Sequence, residues 1–179
     1  KTGTVTTGVM SLESVAVAPG AGEASALSLA ASVESLSEHP VARAITLGAS
    51  SRGISLVPVT AFANQPGLGV VGITAQGGVL VGRPSWLASL GIDVPSPLLD
   101  AVREAEASGA SAVVAALAPQ LGRVATTEAV TPMPEAHTPI TLPGPDAKLP
   151  LATLTMSVGG MTCASCVRRV ERKLGKLDG

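Results

Sequence analysis

Aromatic side chains are nearly missing from this 179-residue chain, which has one Trp, one Phe and no Tyr. Any core must therefore be built mainly from Val, Leu, Ile and Ala, small side chains that let helices and strands pack closely. Cysteine is as scarce. The two that occur, Cys163 and Cys166, stand three positions apart, which argues against a disulfide scaffold and suits a reducing cytosol. Charge is sparse at 14% of residues with a net of -1, so no basic field for nucleic acid exists. No window reaches the roughly 18 consecutive apolar residues of a membrane-crossing helix. The longest candidate, residues 110–117, is short and runs into Pro119. No apolar run follows the basic residue Lys1, so no secretory leader is read there. A chain that opens on Lys1 reads as a piece of something longer. Hydrophobic residues make up 46%, a globular rather than a disordered composition.

What is present organises into a folded unit, a linker and a short tail. Residues 9–17 alternate loosely, as a strand does. Residues 22–36 are rich in Ala, Leu and Glu, with Leu29, Val33 and Leu36 on one helical face. A break at Ser37-Glu38-His39-Pro40 starts a second helix, with Pro40 suited to its first turn and Val41, Ala44, Ile45 and Ala49 at helical spacing. Residues 54–62 read as a strand interrupted by Pro58. Residues 69–75 and 78–81 read as paired strands turning at Gln76-Gly77. Two short helices follow over 85–90 and 97–108, the second stopped by Gly109. A last hairpin is expected from 113–117 and 122–126. Helices and strands do not alternate regularly, so the fold class expected is α+β with a largely antiparallel sheet. Six prolines between Pro132 and Pro150 then make a semi-extended linker that holds His137, read as an ordinary solvated side chain. Residues 152–158 are strand-like, and a helix follows whose stripe of Val167, Val170, Leu174 and Leu177 has nothing further in the chain to cover it.

Both cysteines lie in Gly160-Met161-Thr162-Cys163-Ala164-Ser165-Cys166, at the start of that helix. Two thiolates at this spacing can converge on one soft ion. No nearby residues complete the four ligands structural zinc usually takes, so two-coordinate Cu(I) fits Cys163 and Cys166 better, with silver close behind. A thioredoxin-like redox pair is the alternative. It would want a surrounding βαβ unit and usually an aromatic before the first thiol, where this chain has Met161 and Thr162.

Three further motifs occur in order: Lys1-Thr2-Gly3-Thr4, then Ser37-Glu38-His39-Pro40 with Glu34 five residues before His39, then Pro66-Gly67-Leu68-Gly69-Val70. Each alone is a surface turn or a helix cap. Together they resemble the nucleotide-binding domain of the heavy-metal-transporting P-type ATPases, over roughly residues 1–125. The Gly160–Cys166 loop independently resembles the soluble metal-binding domains of the same family. The resemblance implies that His39 orients adenine, that Glu34 hydrogen-bonds it, and that Gly67 and Gly69 let the backbone approach the nucleotide. Gly82 belongs to the same implied site, although Arg83 stands where the family often has Asn. The chemistry agrees, because an exocyclic amine needs an acceptor and only glycine permits so close a backbone approach. The implied ligands are ATP with Mg(II) and Cu(I). Implied partners are the membrane domain of a parent transporter and a copper chaperone.

The departures matter too. In the family's Asp-Lys-Thr-Gly-Thr motif the phosphorylated aspartate precedes the lysine, so no catalytic residue is assigned here. The metal-binding motif follows the nucleotide domain instead of preceding the membrane helices. The organisation expected is therefore an ATP-binding domain over 1–128, a proline-rich linker over 129–151 and a truncated heavy-metal-associated domain over 152–179, the last a partial ferredoxin-like βα unit. The function expected is that of a soluble cytoplasmic portion of a copper-translocating P-type ATPase, inactive alone. A non-catalytic copper- or nucleotide-binding protein derived from such ATPases, or a CxxC redox protein, are the alternatives.

Overall fold

The computed structural model describes residues 10–121 and 152–159. Its elements run β1 (Ser11–Val17), α1 (Glu23–Glu34), α2 (Pro40–Ser51), β2 (Val59–Gln65), β3 (Gly69–Thr74), β4 (Gly77–Gly82), α3 (Pro84–Ser89), α4 (Ser96–Ala107), β5 (Ser111–Ala118) and β6 (Ala152–Gly159). The six strands form one sheet in the order β1-β6-β5-β4-β3-β2. Every neighbouring pair is antiparallel. The α+β expectation is met.

Period-two alternation divides the sheet into two faces. Val70, Val79, Val81 and Ala115 point to one, where Leu27, Ala30, Val33 and Ile45 of α1 and α2 cover them. Val71, Leu80, Val114 and Ala116 point to the other, beneath Trp86, Leu87 and Val102 of α3 and α4. Each of Leu27, Ile45, Leu80 and Leu87 is fully buried. At about 1.5–3 kcal/mol for each such side chain, these two layers supply most of the drive to fold.

The two helices flanking the Ser-Glu-His-Pro break begin and end for local reasons. Glu23 in the first turn of α1 complements the positive end of the helix dipole. Pro40 opens α2, where its missing N–H removes nothing. Val41, Ala44, Ile45 and Ala49 of α2 are all buried, as their spacing requires.

One expected strand needs its bounds corrected, and another lies outside the described residues. The strand expected over 54–62 begins only at Val59, because Pro58 has no N–H to give a ladder. The preceding residues are pinned to α1 instead: Ser28 Oγ donates to the Ser55 carbonyl at 2.6 Å, and Ser32 Oγ accepts from the Val57 N–H at 2.8 Å. The hairpin partner expected for β5 over 122–126 lies outside the described residues. Both flanks of β5 are already taken, by β4 and by β6. The strand expected over 152–158 is present as β6, and it lies between β1 and β5 of the one sheet. Leu154, Met156 and Val158 sink into the α1–α2 layer, with Met156 fully buried. On the other face Thr155 Oγ1 donates to the Leu98 carbonyl of α4 at 3.3 Å. The linker and the helix after 160 lie outside the described residues.

Candidate functional site

The C-terminal turn of α1, the connection after it and the first turns of α2 border an open pocket of about 380 Å³, lined by Glu34, Ser35, Ser37, Glu38, Arg43 and Thr46. Glu34 is the unusual member. It is only 6% exposed, since Val33 beside it is fully buried and α1 lies close on the sheet. Among the described residues its carboxylate has neither a hydrogen bond nor an ion pair, although Arg43 lines the same pocket. Loss of hydration raises its pKa from the ordinary 4.5 to about 7. The residue is largely buried, but its carboxylate oxygens are not sealed off, since among the described residues no fully buried side-chain oxygen or nitrogen lacks a partner. At this site the carboxylate is a ready partner for an N–H brought in by a ligand.

His39 is the N-cap of α2. Its Nδ1 accepts from the Val41 N–H at 3.2 Å, and its own N–H donates to Ser37 Oγ at 3.3 Å. With Nδ1 committed as an acceptor, the neutral ring carries its proton on Nε2. The exposed imidazole is thus a helix cap whose orientation is fixed, held five residues from Glu34 across the same junction.

The glycines form a second group. Gly67 has φ +76, in a turn closed by Leu68 N–H to the Gln65 carbonyl at 2.9 Å. Only glycine enters this region without strain, and nothing lies within 4 Å of where its Cβ would be. Gly69 and Gly82 differ. They are direct cross-strand partners, and a Cβ on either would lie 2.6 Å from the Trp86 ring. Packing therefore accounts for glycine at 69 and 82, and the open approach is confined to Gly67. Strand β3, which carries Gly69, also packs against α1. Gly72, three residues beyond Gly69, lies under Val33, so close that a Cβ there would come 2.6 Å from Val33 Cγ2. Sequence reasoning passed over Trp86 and Arg43. The signal for Trp86 was its place four residues after Gly82, as the sole tryptophan.

Cys163, Cys166 and His137 lie outside the described residues. Among the described residues no group of three or more His, Cys, Asp or Glu could hold a metal ion. None of their helices is long and apolar enough to cross a membrane.

The heavy-metal-associated domain model matches residues 155–179. That match begins inside β6, so residues 155–159 serve the sheet and the motif alike. Copper-transporting ATPase 1 of Rhizobium meliloti (strain 1021) is 42% identical over 124 residues, covering 69% of this chain and 15% of the relative. A copper-exporting P-type ATPase of Mycobacterium leprae (strain TN) is 42% identical over 131 residues, covering 73% of this chain and 16% of the relative. The chain thus spans well under a fifth of the length of these relatives. Among solved structures, a zinc-transporting PIB-type ATPase in its E2.Pi state aligns with a TM-score of 0.59 at 19% identity, over 99% of this chain and 23% of that one, a likeness of fold. By its sequence and its heavy-metal-associated motif, the chain belongs to the family of the copper-transporting P-type ATPases.

Proposed function

We propose that this chain is the adenine-nucleotide-binding portion of a copper-transporting P-type ATPase, joined to a Cu(I)-binding motif. The observation that carries the reading is Glu34, largely buried, whose carboxylate has no partner among the described residues and opens on a pocket at the junction that His39 caps. Such a carboxylate accepts the exocyclic amine of adenine. The fixed imidazole offers a flat, polarisable edge for the base, and the open turn at Gly67 lets backbone N–H groups come near the nucleotide. Gly69 and Gly82 shape that turn from behind. On this reading ATP would arrive with Mg(II). In the whole transporter, ATP would phosphorylate an aspartate carried by another stretch of the protein, and membrane helices would move the copper. On this reading the present portion faces the cytoplasm and receives copper from a chaperone.

Cu(I) is the cargo, and Cys163 and Cys166 are its proposed thiolate ligands. The experiment for the nucleotide site is a calorimetric titration of the purified chain with ATP and Mg(II). Loss of one nucleotide-contacting group, in His39→Ala or Glu34→Gln, weakens binding by about 1–3 kcal/mol, roughly tenfold or more. Unchanged affinity in both variants refutes the site. For the cysteines, anaerobic titration against a Cu(I) chelator is expected to show one equivalent bound and lost in Cys163→Ser or Cys166→Ser. Full retention in the double variant refutes that assignment.

A further inference from the structure

We propose that Trp86 is the positioning residue of the nucleotide site: its ring braces the Gly67–Gly69 turn from behind and sets ATP affinity without touching ATP. The proposal rests on the adenine-nucleotide reading above. Gly69 and Gly82 face each other across β3 and β4, and both turn their missing side chains toward α3. The Trp86 ring fills that space. A Cβ built on Gly69 would lie 2.6 Å from its Cζ3, and one built on Gly82 would lie 2.6 Å from Cε3 and 2.9 Å from Cζ3. Two cross-strand glycines thus form a flat floor of backbone for one indole.

The brace is tied at its edges. The Arg83 N–H donates to the Leu68 carbonyl at 3.1 Å, joining the turn to the N-cap of α3. The Trp86 and Leu87 N–H groups donate in turn to the Arg83 carbonyl, at 3.0 and 3.2 Å. Turn, cap and indole therefore move together. Trp86 is 5% exposed, packed with Leu87 and Ile92, so the ring has little freedom of its own. On the opposite side, the place of a Gly67 Cβ is clear of other atoms. The turn has a filled back and an open front. A nucleotide arriving at the front meets a turn that has no room to yield backward, and the ordering cost of binding is already met in the folded chain.

Trp86 is the sole tryptophan, so its emission reports on this brace alone. The experiment pairs calorimetry with fluorescence on the full chain, titrated with ATP and Mg(II). In the unsubstituted protein the emission is expected to change saturably, with the same midpoint as the heat. Trp86→Phe keeps a flat ring and is expected to hold affinity within about twofold, whereas Trp86→Ala weakens it about fivefold or more. Should Trp86→Ala fail to fold, the emission titration and Trp86→Phe decide. If calorimetry shows saturable, His39-dependent binding while emission stays flat, or while folded Trp86→Ala binds as tightly as the parent, Trp86 is structural filling and the proposal falls with the nucleotide site intact. If calorimetry shows no ATP binding, both readings fall.

Discussion

Glu34→Gln removes the one strongly perturbed charge of the site and keeps the shape of the side chain. In the folded chain burial raises the Glu34 pKa from 4.5 to about 7. The folded state therefore holds its proton over a range in which the unfolded chain has released it. Stability from the protonated carboxyl is fully present below pH 4.5 and is lost as pH rises through 7. At about 1.4 kcal/mol per pH unit, the loss between pH 5 and pH 8 is about 2–3 kcal/mol, an upper figure because the carboxylate borders an open pocket. Glutamine has no proton to release, so the stability difference between Glu34→Gln and the parent should grow by about that amount over the same range. Urea unfolding at pH 5, 6, 7 and 8, followed by Trp86 emission, measures it. Subtracting the two profiles removes every other titrating group. Parallel profiles, or a difference that shrinks as pH rises, refute the assignment of a buried, partnerless carboxyl.

His39→Asn should separate the two tasks of that residue. Asparagine restores most of the roughly 1 kcal/mol of capping that His39→Ala loses, but not the imidazole, so thermal stability recovers while ATP affinity stays low. Met156→Ala, at a fully buried position of β6, should cost about 2–5 kcal/mol in chemical denaturation. A cost below about 1 kcal/mol would mean that β6 does not sit in the sheet. Gly72→Ala forces a Cβ to 2.6 Å from Val33 Cγ2 and should cost about 1–3 kcal/mol, partly recovered when Val33→Ala is added. Additive costs in that double variant would count against the contact.

The helices and the strand pairs local in sequence were legible because their signals are local. The α2 stripe of Val41, Ala44, Ile45 and Ala49 is written at helical spacing, and every member is buried. The β3–β4 hairpin announces itself at Gln76-Gly77, although its two-residue turn is Ala75-Gln76, one position earlier than expected, between the paired Thr74 and Gly77. Glu34 and His39 were singled out through their motif, a helix cap was among the readings open at that motif, and the burial of Glu34 needed the packed structure. Three things were not legible. The pinning of residues 54–58 to α1 depends on two serine hydroxyls reaching across the fold. The role of Gly69 and Gly82 depends on register, which brings two glycines separated in sequence to one indole. The insertion of β6 depends on a pairing between strand ends far apart in the chain, and no periodicity within a window records that.

That insertion also sets the order in which the molecule can be completed. Among the described strands β1 is made first, and its one neighbour in the sheet, β6, is made last. A growing chain therefore carries β1, and one flank of β5, without ladder partners until residue 159 has been synthesised. Bringing β6 back across the residues after Ala118 closes a loop at an entropic cost of about 3 kcal/mol, offset by its pairing with β1 and β5 and by the burial of Leu154, Met156 and Val158. Pairing at such separation is slow and leaves strand flanks open to other chains meanwhile. A truncation placed after residue 121, where the nucleotide unit looks finished on the page, would strand β1 at birth. A piece that keeps the whole sheet must therefore run at least to Gly159.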